Sequence, residues 1–192
     1  MEISEEAEVA FYDELLQKNP KNALAWCSKA EVLDRLGRHA EAVACYGKAL
    51  EIDPQLAVAR SAKASLLSRL GQFVEAIQCC NEGLTVNEKQ GAVWVAKGVA
   101  LSRLGKGEEA IGCFDKALEV EPLNGIAWSS KGAALIPLNR YSEVVTCCDR
   151  ALHIDPRNVE AWAAKGHALI KLGKMTEASE CLRKAAQVKP VM

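Results

Sequence analysis

Several absences narrow what this chain can be. Aromatic residues make up only 5% of its 192 positions, a share that suits helices built on alanine and leucine. No stretch approaches the ~18 uninterrupted apolar residues that a membrane-spanning helix requires. The start, MEISEEAE, lacks the basic leader and apolar run of a secretory signal, so a cytoplasmic location is expected. Neither sign of charge dominates: 24 lysines and arginines face 25 acids, for a formal net charge of −1. There is thus no global basic field to argue for nucleic acid. Histidine is scarce too. His39, His153 and His167 fall at unrelated places, with no metal-ligand spacing, phosphate-binding loop or local nucleophile signature beside them. No cofactor, metal or catalytic residue is expected.

What is present is repetition. Hydrophobic residues make up 49% and charged residues 26%, a balance typical of a packed, water-soluble protein. From Ala23 onward the chain divides into copies of 34 residues: 23–56, 57–90, 91–124, 125–158 and 159–192. A partial copy occupies 1–22. Numbering each copy from its first residue, the fourth seat holds Trp26, Trp94, Trp128 and Trp162, and the thirty-second holds Pro54, Pro122, Pro156 and Pro190. Pro20 closes the partial copy. Copy two lacks both marks, carrying Arg60 and Glu88 instead. Self-similarity at such a period signals an array in which each unit buries its apolar face on its neighbours.

Each copy reads as two helices. In the third, Trp94, Gly98, Leu101 and Leu104 share one helical face, and Gly105 follows where a left-handed residue can end the helix. Ala110, Phe114, Ala117 and Leu118 form a second stripe, ended by Pro122. The stop recurs as Gly37, Gly71, Gly105, Asn139 and Gly173, asparagine being the next best residue for that backbone. Glu41, Glu75, Glu109, Glu143 and Glu177 begin the second helices, where the helix dipole favours an anion. Eleven helices are expected, near 4–18, 23–36, 40–52, 57–70, 74–86, 91–104, 108–120, 125–138, 142–154, 159–172 and 176–188. Pro137 is expected to bend the eighth near its end.

Eight cysteines invite a disulfide reading, which their spacing opposes. Cys45, Cys79, Cys113, Cys147 and Cys181 take one seat in successive copies. Packed helices lie ~8–10 Å apart, beyond the ~7 Å between Cα atoms that a disulfide spans. Buried, reduced thiols are expected.

A large residue at seat four, small residues at eight, twenty and twenty-seven, an aromatic at twenty-four and proline at thirty-two resemble the tetratricopeptide repeat over residues 23–192. The resemblance implies an all-α, right-handed superhelical solenoid of helix hairpins whose concave face receives a peptide. That face comprises seats two, five, nine, twelve and thirteen. Read from the sequence, it has a small, neutral floor of Ser61, Ser65, Val95, Val99 and Ser129, with Arg69, Arg103 and Lys171 as a basic rail. Glu31, four residues before Arg35, is placed to pair with it, whereas Arg69 and Arg103 have no local acid. The lysine and asparagines with which co-chaperone members grip a terminal carboxylate are missing, since the fifth seat holds Cys27, Ser61, Val95, Ser129 and Ala163. A ladder at seat seven, Lys29, Lys63, Lys97, Lys131 and Lys165, is expected to pack its stems and send its amines to water.

The expected function is a non-catalytic scaffold that binds a protein or peptide segment carrying acidic and small apolar side chains. Residues 1–22 hold six acids and two lysines, whereas 157–192 hold seven bases and three acids. End-to-end stacking into a homo-oligomer is therefore a second expectation, and a regulatory domain of a larger protein a third. An RNA-binding helical repeat fits less well.

Overall fold

The computed structural model describes residues 4–188. Among them are eleven α-helices and no strands: α1 (Glu5–Lys18), α2 (Ala23–Arg35), α3 (His39–Ile52), α4 (Ala57–Arg69), α5 (Phe73–Val86), α6 (Gly91–Arg103), α7 (Gly107–Val120), α8 (Gly125–Leu135), α9 (Tyr141–Ile154), α10 (Val159–Lys171) and α11 (Met175–Gln187). Pro190, which closes the fifth copy in sequence, lies outside the described residues. The chain forms two compact units divided between Ala100 and Leu101, and each is described separately.

Every hairpin turn is made the same way. Gly37, Gly71, Gly105 and Gly173 have φ between 74° and 79°, and Asn139 has φ 58°, so all five predicted stops adopt the left-handed conformation. The residue after each stop sends its N–H back to the carbonyl five positions earlier: Arg38 to Leu33, Gln72 to Leu67, Lys106 to Leu101, Arg140 to Leu135 and Lys174 to Leu169. That bond closes a Schellman cap, which satisfies carbonyls the helix end leaves over. Asn22, Asn124 and Asn158 cap the starts of α2, α8 and α10 by accepting from the N–H three residues on.

In the first unit Leu33, Ala42, Tyr46, Ala49 and Ala59 are buried together, and a neighbouring cluster joins Ala64, Leu67, Ala76 and Cys80 to Val93, Ala96 and Ala100. In the second unit each of α7 to α10 packs on the next helix, burying Phe114, Leu135, Val144, Cys148 and Leu169. All eight cysteines are buried. Burial raises the thiol pKa values of Cys27, Cys45, Cys79, Cys147, Cys148 and Cys181, that of Cys27 to about 11 and that of Cys148 to about 12, with the acids Glu31 and Asp53 adding to the effect at Cys27 and Cys147 adding to it at Cys148.

One helix departs from expectation. The α8 helix ends at Leu135, ahead of Pro137, where a continuation to 138 with a bend was predicted. Leu36, Leu70 and Leu172 each donate to the carbonyl four residues back, whereas Leu138, like Leu104 at the end of α6, donates three back. Ile136 keeps helical dihedrals (φ −61°, ψ −51°), but Pro137 has no N–H to extend the ladder beyond it. The turn then reaches Asn139 in the usual way.

Candidate partner-binding faces

The fourth and thirty-second seats are joined by a hydrogen bond. The indole N–H groups of Trp26, Trp94, Trp128 and Trp162 donate to the carbonyls of Pro20, Glu88, Pro122 and Pro156, six residues earlier, at 2.8–3.0 Å. Arg60 preserves this contact in copy two, its Nη2 donating to the Pro54 carbonyl at 2.8 Å while Nη1 donates to Cys79 at 3.0 Å. Arg60 is only 5% exposed. Its stem runs over Gly83, where an added Cβ would lie 2.0 Å from Cδ. The sequence departures at 60 and 83 are thus one adaptation: glycine makes room for the guanidinium.

The second, fifth, ninth, twelfth and thirteenth seats divide less simply than a floor and a rail. Ser65, Arg69, Arg103 and Lys171 are exposed, while Ser61, Val95 and Val99 are half-buried. Ser129 is 8% exposed and its hydroxyl donates to the Ile126 carbonyl at 3.1 Å, so it contributes shape rather than an available polar group. At the second seat, Leu24 and Val58 are 63% and 56% exposed, adding apolar surface.

The arginines need a sharper correction. Arg69, expected to lack a partner, holds Asp34 of the preceding copy at 2.5 Å. Asp34 also meets His39 at 2.9 Å. Arg35 binds Glu5 and Glu8 of α1, at 3.0 and 2.6 Å, instead of Glu31. Both pairings have one cause: packing brings carboxylates of preceding helices closer to these guanidinium groups than any acid on their own helix. The twelfth-seat residue 35 positions before Arg103, equivalent to Asp34 for Arg69, is Ser68, whose hydroxyl donates to the Ala64 carbonyl. Among the described residues no acid pairs with Arg103 or Lys171. Val95, Val99 and Arg103 recur every four residues along α6 and so share one stripe of that helix.

The acids of α1 are also engaged internally. Besides Glu5 and Glu8, Glu6 reaches Arg38 at 3.5 Å and Asp13 holds Lys29 at 2.5 Å. The charge difference between the chain ends is therefore partly neutralised within the first unit. Lys29 also corrects the seat-seven ladder: it, Lys131 and Lys165 bind Asp13, Asp115 and Asp149 rather than reaching water.

Among the described residues no group of three or more His, Cys, Asp or Glu side chains could hold a metal ion, and no helix is long and apolar enough to cross a membrane.

Models of the tetratricopeptide repeat match residues 23–56, 45–78, 95–159 and 159–191. A model of the protein prenyltransferase alpha subunit repeat matches residues 5–36. No curated protein matches the chain. Among solved structures, PilW, described as a widely conserved type IV pilus biogenesis factor, is 19% identical with a TM-score of 0.78, covering 90% of this chain and 80% of its own. YrrB, described as a TPR protein with an unusual peptide-binding site, is 21% identical with a TM-score of 0.64, covering 93% and 92%. MamA from Desulfovibrio magneticus RS-1 is 15% identical with a TM-score of 0.70, covering 86% and 94%. At these identities the likeness is one of fold.

Proposed function

The chain belongs to the tetratricopeptide repeat family, and from that premise we propose that it is a non-catalytic, cytoplasmic scaffold that binds a segment of a partner protein along its first-helix faces. The stripe of α6 is the observation that carries this reading. Val95 and Val99 are half-buried and Arg103 is exposed, with no acid partner among the described residues, whereas Arg35 and Arg69 are spent on carboxylates. Small apolar side chains of the partner fit beside the valines and beside Ser61 and Ser65. An acidic residue meets Arg103, and Lys171 offers a second base on its own helix. Such exposed charges act more on encounter and orientation than on affinity. The peptide-binding site announced for YrrB lends the reading support by analogy of fold. The fifth-seat residues offer no lysine, so a terminal carboxylate held in the co-chaperone manner is not the proposed ligand.

A displayed peptide library tests this. Selected peptides should carry acidic and small apolar residues, and Arg103→Glu should weaken them at least tenfold while Lys18→Glu/Lys21→Glu, on exposed positions away from these seats, leaves them unchanged. Peptides that bind the Arg103 variant normally would place the partner elsewhere.

A further inference from the structure

The seat-seven lysines follow a rule that one of them breaks. In three copies the ammonium binds an aspartate sixteen residues earlier, Lys29 to Asp13, Lys131 to Asp115 and Lys165 to Asp149, each at 2.5 Å. Each of these lysines also lies within 5.6–5.9 Å of the centroid of the tryptophan three residues before it, within reach of a cation–π attraction. Lys97 has Asn81 at the aspartate position but keeps Trp94 at 5.2 Å. Lys63 has neither. Gly47 stands where the aspartate belongs and Arg60 where the tryptophan belongs.

The ammonium of Lys63 nonetheless holds the same posture. Its Nζ is 3.8 Å from the point that a Cβ on Gly47 would occupy, and no other atom crowds that point within 4 Å. The amine opens on a pocket of about 290 Å³ within the first unit, walled by Val43 on α3, Leu67 on α4 and Cys79 on α5. Glu75, Gln78 and Glu82 of α5 complete its lining. Of the two acids, Glu82 is drawn to Arg60 at 3.7 Å and accepts from Gln78 at 3.4 Å. Glu75 remains on an exposed first turn.

We propose that this pocket is a second docking site, which receives one aspartate or glutamate side chain of a partner segment in the place of the aspartate that copy one lacks. A half-buried ammonium without a counter-ion is unfavourable, and the same scaffold elsewhere in the chain shows what satisfies it: a carboxylate. The apolar wall accommodates the methylene groups of that side chain. Glu75 repels a run of acids, so the pocket selects a single carboxylate flanked by neutral or basic residues. These residues are separate from the α6 stripe, and the site stands whether or not that stripe binds a partner.

Methyl NMR of the full chain, following Val43 and Leu67, tests the proposal with a capped Lys-Asp-Ala peptide and its Lys-Asn-Ala counterpart. Saturable shifts are expected with the aspartate peptide and at least tenfold weaker ones with the asparagine peptide. Lys63→Gln should weaken the aspartate peptide tenfold. Gly47→Asp should do the same by supplying its own carboxylate, and should raise the melting temperature. Lys18→Glu, at an exposed position on α1, should bind it as the unaltered protein does. Equal response to both peptides, or undiminished binding by the Gly47 variant, would overturn the site. Sodium acetate binding as tightly as the peptide would overturn its assignment to a partner segment.

Discussion

Arg60 crosses Gly83 so closely that a methyl group at position 83 would lie 2.0 Å from its Cδ and 2.4 Å from its Nε. The guanidinium cannot simply swing aside, because it is anchored on the carbonyls of Pro54 and Cys79. Gly83→Ala is therefore expected to lower stability by ~1–3 kcal/mol in urea unfolding, although alanine ordinarily favours a helix interior by ~1 kcal/mol. Adding Arg60→Trp, which restores the residue pair found in the other copies, should recover most of the loss. Additive effects of the two changes would show that the residues are not coupled.

The Asp34 partnership separates two arginines that look alike in sequence. Arg69→Ala should cost about 0.2–1 kcal/mol, as exposed ion pairs do, since Arg69 is 59% exposed at the side chain. Arg103→Ala should leave thermal melting unchanged. Equal losses would mean that Arg103 has an intramolecular partner and is not available to a ligand.

The buried thiols make stability fall in alkali. The folded-state pKa values of Cys27, Cys45, Cys79, Cys147, Cys148 and Cys181 are raised above the ordinary thiol value of ~8.5, so the unfolded chain loses these protons first. The stability they contribute is whole below that pH and declines as pH rises toward the folded values of about 11 for Cys27 and about 12 for Cys148. Each such thiol contributes about 1.4 kcal/mol per pH unit across this window. Under reducing conditions Cys148→Ala should flatten the slope of unfolding free energy between pH 9 and 10.5, relative to the unaltered chain. At neutral pH all eight thiols should label slowly until denaturant is added, and Cys113→Ser should cost ~1–3 kcal/mol by burying a hydroxyl.

Gln90 occupies the seat where Asn22, Asn124 and Asn158 cap their helices. It is 5% exposed, and neither side-chain amide atom has a hydrogen-bond partner in the structure. Asparagine is one methylene shorter and has the reach of the other three caps. Gln90→Asn should raise stability by ~1 kcal/mol, read as a higher denaturation midpoint at unchanged slope. No gain would mean that α6 begins differently from α2, α8 and α10.

The 34-residue period, the two helices per copy, the five left-handed stops and the buried cysteines were all legible in the sequence, because hydrophobic periodicity and the backbone needs of glycine and asparagine are local quantities. Even the early end of α8 at Leu135 has its signal in Pro137, which lacks the N–H that a longer helix needs. Only the tertiary structure decided where the long charged side chains go. Lys29 meets Asp13 across 16 residues, Arg35 meets Glu5 across 30 and Arg69 meets Asp34 across 35. Each is a choice among several acids within reach, made by how successive helices pack. The same packing carried Arg60 onto the carbonyl that tryptophan uses elsewhere, and left Lys63 facing a glycine.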